Sequence, residues 1–128
     1  MVFSLHGRGG TGNPNDANSS KLGKPTFTSL ADKEGFIVVY PQGRDGTNQA
    51  DYPDDGNWNK GFENTTGWEA TGKENADTKF IKALVDEIKK IYASNSYISV
   101  DPTKFYLCGY SMGGMMTYAC AKVLNGTF

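Results

Sequence analysis

Residues 105–116 read FYLCGYSMGGMM, a short apolar run, a turn that carries a serine, and the start of a second apolar run. The Gly-x-Ser-x-Gly pattern at its centre, formed by Gly109, Ser111 and Gly113, is typical of a nucleophile elbow. A serine at the tip of a sharp strand-to-helix turn has a strained backbone, and the flanking glycines let strand and helix pass close together. The stretch therefore predicts a strand, a presented Ser111 hydroxyl and a helix.

The residues on either side of the turn agree with this pattern. Residues 105–108 suit a strand, and residues 112–124 form a largely apolar helix. The first amide N–H groups of that helix would point at the reaction centre, where they can stabilise an oxyanion. In the competing interpretation, Gly113 and Gly114 only let a helix pack tightly on a sheet, and Ser111 is an ordinary N-cap.

Length and composition exclude several classes of function. The chain has 128 residues, 38% of them hydrophobic, 16 glycines and a formal net charge of -1, which is typical of one globular, loop-rich domain. It has no basic stripe for nucleic acid and no apolar run near the roughly 18 residues that span a bilayer, so neither partner is expected. Residues 1–6 have neither the basic start nor the long apolar region that would predict a secretory signal. One histidine and two separated cysteines predict no metal site, a disulfide between Cys108 and Cys120 is not expected, and no cofactor is predicted.

Strands and helices are predicted to alternate along the chain. Residues 2–5 and 36–40 suit buried strands, and residues 26–33 and 77–92 suit helices. In the longer helix, apolar residues at spacings of one, three and four give a single face: Phe80, Ile81, Leu84, Val85, Ile88, Ile91 and Tyr92. This alternation predicts a parallel sheet with right-handed crossovers, in which ligands bind at the carboxyl ends of the strands.

A glycine-rich turn, HGRGGTG at residues 6–12, follows the first predicted strand. Its backbone can approach a ligand closely. Since both this turn and Ser111 follow strand ends, the two turns are predicted to meet. A phosphate-binding loop is the weaker alternative, because no Lys-Ser/Thr follows the glycines and no Gly-x-Gly-x-x-Gly opens a helix.

Residues 44–75 form a long region rich in Gly, Asn and Asp. Long segments without periodicity are usually functional or disordered, and large aromatic residues argue against disorder. Two roles are about equally open for these aromatics: to line or cover a substrate site, or to pack the region against the body of the domain. The residues concerned are Tyr52, Trp58, Phe62 and Trp68.

Several separate motifs occur in an order that resembles a known family. They are His6-Gly7-x-Gly9-Gly10, Ala31-Asp32-x-Glu34-Gly35-Phe36-x-Val38-x-Tyr40-Pro41-Gln42-Gly43, Trp58-Asn59, Phe80-Ile81 and Gly109-x-Ser111-x-Gly113-Gly114-Met115-Met116. Together they resemble the polyhydroxybutyrate depolymerase and feruloyl or acetylxylan esterase group of the α/β-hydrolase fold, over nearly the whole chain. The resemblance implies a three-layer αβα fold with a mainly parallel sheet, in which the strand ending at His6 lies beside the strand ending at the nucleophile.

The same resemblance implies roles for individual residues. Ser111 would be the nucleophile of an acyl-enzyme mechanism, with the backbone N–H groups of Met112 and Arg8 as the oxyanion hole. The remaining motif residues would be structural: His6, Gly7, Gly9, Gly10, Gly109 and Gly113. The expected substrate is an acetyl or feruloyl ester, such as those of plant cell-wall polysaccharide, or a polyester. A serine peptidase of the same fold and a catalytically inactive domain that binds sugar are the alternatives.

The sequence departs from the family pattern after the nucleophile. In this fold the acid and the base follow the serine, and no His, Asp or Glu occurs beyond Ser111. We therefore expect residues 1–128 to be a single partial hydrolase domain, an internal piece of a larger extracellular enzyme truncated at both ends, with weak activity alone. The strand at residues 105–107 would then be a sheet edge, which favours aggregation.

Overall fold

The computed structural model describes residues 1–15, 26–43, 58 and 74–128. The elements in chain order are β1 (Val2–Leu5), α1 (Thr28–Glu34), β2 (Val38–Val39), α2 (Ala76–Ala93), β3 (Tyr106–Gly109) and α3 (Met112–Val123). The predicted alternation of strand and helix is confirmed for these elements. The described part of the chain is a small α/β protein with a three-stranded parallel sheet.

The strands lie in the order β2-β1-β3, and both neighbours of β1 are parallel to it. β1 is thus central, as its buried residues require. Leu5 pairs with Gly109, so the carboxyl ends of β1 and β3 lie side by side, and β3 is an edge among the described strands. β2 has two residues where five were predicted, since only Val38 and Val39 pair with β1.

Two hydrophobic clusters cover one face of β1. Phe3 and Leu5 are two residues apart and therefore project from the same face of the strand. Phe3 packs with Val85 of α2, whereas Leu5 packs with Ile81 of α2 and Met116 of α3. Both long helices consequently pack against the same face of the sheet.

Helix α2 begins with a capping box. The side chain of Asn75 accepts hydrogen bonds from the N–H groups of Asp77 and Thr78, and the Thr78 hydroxyl accepts one from the Asn75 N–H. The buried stripe of the helix is narrower than the predicted apolar face, since Phe80 and Ile91 are 41% and 51% exposed. Positions at the margins of an apolar face commonly keep contact with water.

Helix α1 buries no residue, and its Leu30 is 46% exposed. The helix ends at Gly35, which has a left-handed backbone with φ 69°, and its first turn is held by the Phe27 N–H donating to Tyr40 Oη at 2.8 Å. A second helical layer, and with it the three-layer arrangement, stays a prediction. Among the described residues, no helix has the length and apolar character needed to cross a membrane.

Candidate active site

Ser111 lies in a tight turn between β3 and α3. The Gly113 N–H donates to the Tyr110 carbonyl at 2.9 Å and closes a four-residue turn. Ser111 has φ 51° and ψ −117°, the values of the first central position of a type II′ turn, where glycine is normally found. Ser111 is the one non-glycine residue with positive φ in the described part of the chain. The strained serine expected from the sequence pattern is therefore present.

The N-cap alternative does not account for this geometry. Ser111 occupies the N-cap position of α3, but its side chain makes no capping hydrogen bond. An ordinary N-cap serine has an extended backbone and accepts a hydrogen bond from the second or third helical N–H. The backbone of Ser111 is not extended, and its exposed side chain accepts no such hydrogen bond.

The two glycines that flank Ser111 allow β3, α3 and β1 to approach one another. A Cβ atom on Gly109 would come within 3.0 Å of backbone atoms of Gly113 and Gly114. A Cβ atom on Gly113 would come within 3.0 Å of the Leu5 and His6 carbonyl oxygens. These obstacles are backbone atoms, so they cannot move aside as a flexible side chain would. Both positions require glycine for the helix to pass as it does.

The glycine-rich turn after β1 lies against Ser111, as the placement of both turns at strand ends predicted. A Cβ atom on Gly7 would stand 3.4 Å from Ser111 Cβ and 3.2 Å from a ring carbon of Tyr110. The turn is closed by the Gly10 N–H donating to the Gly7 carbonyl at 3.1 Å, with Gly9 at φ 69°. Arg8 follows Gly7 directly and its side chain is exposed. The use of the Arg8 and Met112 N–H groups as oxyanion donors stays a prediction.

His6 is buried beneath this turn and both of its ring nitrogens are bonded. The Gly43 N–H donates to His6 Nε2 at 3.0 Å, so Nε2 is the acceptor. Nδ1 therefore carries the proton and donates to the Gly7 carbonyl at 2.7 Å. With 1% of its surface exposed and both nitrogens engaged, His6 is suited to shaping the turn and not to removing a proton from Ser111.

The segment after β2 also supports the glycine-rich turn. The Gly12 N–H donates to Gln42 Oε1 at 2.6 Å, next to the Gly43–His6 hydrogen bond. Two of the quoted motifs, the one at His6 and the one ending at Gly43, are thus in direct contact. Sequence analysis did not predict this contact, because the bonded residues are 30 and 37 positions apart and share no local pattern.

Trp58 lies in the core and not on the surface of the site. Its side chain is 0% exposed, and the indole N–H donates to the His6 carbonyl at 2.9 Å. Of the two roles left open for this residue, the burial favours packing over contact with substrate. Three other predicted substrate-binding residues lie outside the described residues: Tyr52, Phe62 and Trp68.

The two cysteines are free thiols and do not belong to the site. Burial raises the pKa of Cys108, and burial together with the nearby Asp77 carboxylate raises the pKa of Cys120 to about 12. Neither thiol is therefore activated as a nucleophile. Within residues 1–15, 26–43, 58 and 74–128, no group of three or more His, Cys, Asp or Glu residues could hold a metal ion.

Comparison with known proteins gives one informative similarity. No protein-family model matches the chain, and no solved structure matches it. The chain is 31% identical over 126 residues to the bifunctional acetylxylan esterase/xylanase XynS20E of Neocallimastix patriciarum. The match includes 98% of this chain but 14% of the length of that relative. The similarity therefore indicates a region related to a carbohydrate esterase.

Proposed function

We propose that this chain carries the nucleophile and the oxyanion-binding turn of a serine carboxylic-ester hydrolase of the α/β-hydrolase fold. The observation that carries the proposal is the backbone of Ser111, with φ 51° and ψ −117° in a residue whose side chain does not cap its helix. Such conformations cost about 1–3 kcal/mol and persist mainly at active sites and switch regions. The proximity of Gly7 and the similarity to an acetylxylan esterase/xylanase support the same assignment.

The proposed reaction proceeds through an acyl-enzyme. Ser111 Oγ attacks the ester carbonyl carbon, and the oxyanion that forms accepts hydrogen bonds from the backbone N–H groups of Met112 and Arg8. Collapse of this intermediate releases the alcohol and leaves the acyl group on Ser111. Water then attacks the acyl-enzyme, which releases the carboxylic acid and restores the serine.

The proton of Ser111 Oγ needs an acceptor, and His6 is unsuited because its ring nitrogens bond Gly43 and Gly7. No His, Asp or Glu follows Ser111 in the sequence. We propose that the base and its acid belong to polypeptide outside residues 1–128, so that these residues form a partial domain of a longer enzyme. The chain alone would keep only the roughly 10³- to 10⁴-fold advantage over water that the oxyanion hole and binding provide.

The proposed substrate is an acetyl or feruloyl ester on a plant cell-wall polysaccharide, with a polyester as the alternative within the same chemistry. The name of the relative, an acetylxylan esterase/xylanase, favours the acetyl ester. An enzyme with such a polymeric substrate would act outside the cell, since the polymer cannot enter it.

Hydrolysis of p-nitrophenyl acetate and of acetylated xylan by the full-length natural protein tests this proposal. Ser111→Ala should lower turnover by at least about 10³-fold, because the nucleophile is removed. A fluorophosphonate probe should label the native protein and not this variant. Ser94→Ala, a change of the same size at the exposed C-cap of α2, is the matched control and should keep full activity.

Three results would contradict the proposal. Unchanged ester turnover in Ser111→Ala would exclude Ser111 as the nucleophile. Binding of xylan without labelling by the fluorophosphonate would favour an inactive binding domain. Faster cleavage of a matched peptide than of the ester would favour a serine peptidase.

A further inference from the structure

Trp58 contacts both segments that form the proposed site. Its indole N–H donates to the His6 carbonyl at 2.9 Å, and its ring lies against the His6 imidazole with centroids 5.0 Å apart. Its backbone N–H donates to Met112 Sδ at 3.4 Å. One buried residue thus bonds to the end of β1 and to the first residue of α3.

Both contacts of Trp58 lie next to the proposed oxyanion donors. His6 directly precedes the Gly7-Arg8 turn, and Met112 directly follows Ser111. Any shift of the His6 carbonyl or of the first turn of α3 would change the distance between the N–H groups of Arg8 and Met112. An oxyanion needs both donors within hydrogen-bond distance of one oxygen atom.

We propose that Trp58 is a positioning residue for the ester hydrolysis, an inference that rests on the proposed function. Trp58 keeps the turn after β1 and the start of α3 at a fixed separation, so that the Arg8 and Met112 N–H groups point at one oxygen. Trp58 does not touch substrate, because its side chain is 0% exposed. The positioning role differs from the substrate contact that the sequence left open for Trp58.

Trp58→Phe tests the inference, because phenylalanine keeps an aromatic ring beside His6 and removes the indole N–H donor. The variant is assayed on the full-length protein with p-nitrophenyl acetate. Its kcat should fall about tenfold and its KM should change less than about twofold, since the hydrogen bonds that it weakens, those to the oxyanion, form in the transition state. Inhibition by an aryl boronic acid, which forms a tetrahedral anion on the serine, should weaken by a similar factor of about ten.

The matched control is Val85→Ala. Val85 is buried in the cluster around Phe3, which includes no residue of the two turns, so its truncation should destabilise the fold without removing a contact of the site. This variant should keep the native kcat, KM and boronate inhibition. Met112→Leu is the second test variant, because it removes the sulfur acceptor at nearly constant volume and does not alter Trp58. It should lower kcat by about two- to threefold, the effect of losing one weak hydrogen bond.

The possible outcomes separate this inference from the proposed function. If Trp58→Phe and Met112→Leu behave like Val85→Ala while Ser111→Ala is inactive, the positioning role is wrong and the proposed function stands. A raised KM at constant kcat in Trp58→Phe would mean that Trp58 contacts substrate, which also overturns the inference. If Ser111→Ala keeps its turnover, both proposals fail. Should Trp58→Phe not fold, the kcat and boronate results for Met112→Leu decide.

Discussion

Replacement of Gly113 by alanine is the sharpest test of the elbow geometry. The new Cβ would stand 2.5 Å from the His6 carbonyl oxygen, with the Leu5 carbonyl oxygen equally obstructive. Ordinary contacts of a Cβ atom begin at 3.4 Å, so the helix must move away from the end of β1 by about 0.9 Å. The displaced segment would be the first turn of α3, which carries the Met112 N–H.

Two opposing terms set the expected change in stability. Alanine in a helix is favoured over glycine by about 1 kcal/mol. Overpacking costs about 1–3 kcal/mol, and we expect the upper part of that range, about 2–3 kcal/mol, because all the obstructing atoms belong to the backbone. Moving the Leu5 carbonyl would break its hydrogen bond from the Tyr110 N–H, and moving the His6 carbonyl would break the one from the Trp58 indole N–H. We expect a net loss of about 1–2 kcal/mol, which for a domain of this size lowers Tm by about 3–10 °C. Turnover should fall by up to about 10²-fold, since a displacement near 1 Å of a group that acts in catalysis can have an effect of that size.

Gly114→Ala provides the matched control, one residue further along α3. Its Cβ would meet the Gly109 carbonyl oxygen at 3.3 Å, close to an ordinary contact, and the next atom at 3.9 Å. This variant should differ from the native protein by less than about 1 kcal/mol. Urea unfolding followed by circular dichroism measures both changes. Equal stability of the two variants would refute the close approach of α3 to the end of β1.

Three further predictions concern single residues. Ser111→Gly should stabilise the fold by about 1 kcal/mol in urea unfolding, because glycine adopts positive φ without strain. Ser111→Ala is the control and should leave the stability nearly unchanged. A glycine variant less stable than the native protein would argue against backbone strain at Ser111. Burial and the Asp77 carboxylate raise the pKa of Cys120 from 9.0 to about 12. The folded protein therefore holds a proton that the unfolded chain releases, so stability should decrease as pH rises from 9 towards 12, and Cys120→Ala should reduce this decrease in unfolding titrations. Asn75→Ala should lower the free energy of unfolding by about 1 kcal/mol, because it removes the acceptor for the Asp77 and Thr78 N–H groups. Asn75→Ser should recover most of this loss. Equal Tm values for the two variants would contradict the capping role of Asn75.

The elements around the elbow could be predicted because their signals are local. Residues 105–108 and 112–124 were predicted as strand and helix, and the structure has Tyr106–Gly109 and Met112–Val123. The helix predicted at residues 77–92 is found at Ala76–Ala93, since its apolar periodicity is long and regular. In each case the residues that determine the element lie within it.

The length of β2 and the exposure of α1 depend on contacts between distant segments, which a local sequence pattern does not show. The apolar residues at 36–40 resemble a five-residue strand, but only Val38 and Val39 join the ladder of β1. Leu30 in α1 is apolar and yet exposed. Apolar character alone does not determine whether a neighbouring element is present to cover a side chain.

The candidate site combines both kinds of information. The conformation of Ser111 is determined within residues 105–116, because its turn is closed by Tyr110 and Gly113. The turn after β1 instead takes its shape from distant partners, since Gly43 bonds the His6 ring and Trp58 bonds the His6 carbonyl. A glycine-rich turn has little conformational preference of its own. The proposed nucleophile is therefore specified by its own motif, whereas the proposed oxyanion donor at Arg8 depends on residues far away in the chain. We expect substitutions that release the His6 ring or the His6 carbonyl to alter catalysis more than they alter the turn at Ser111.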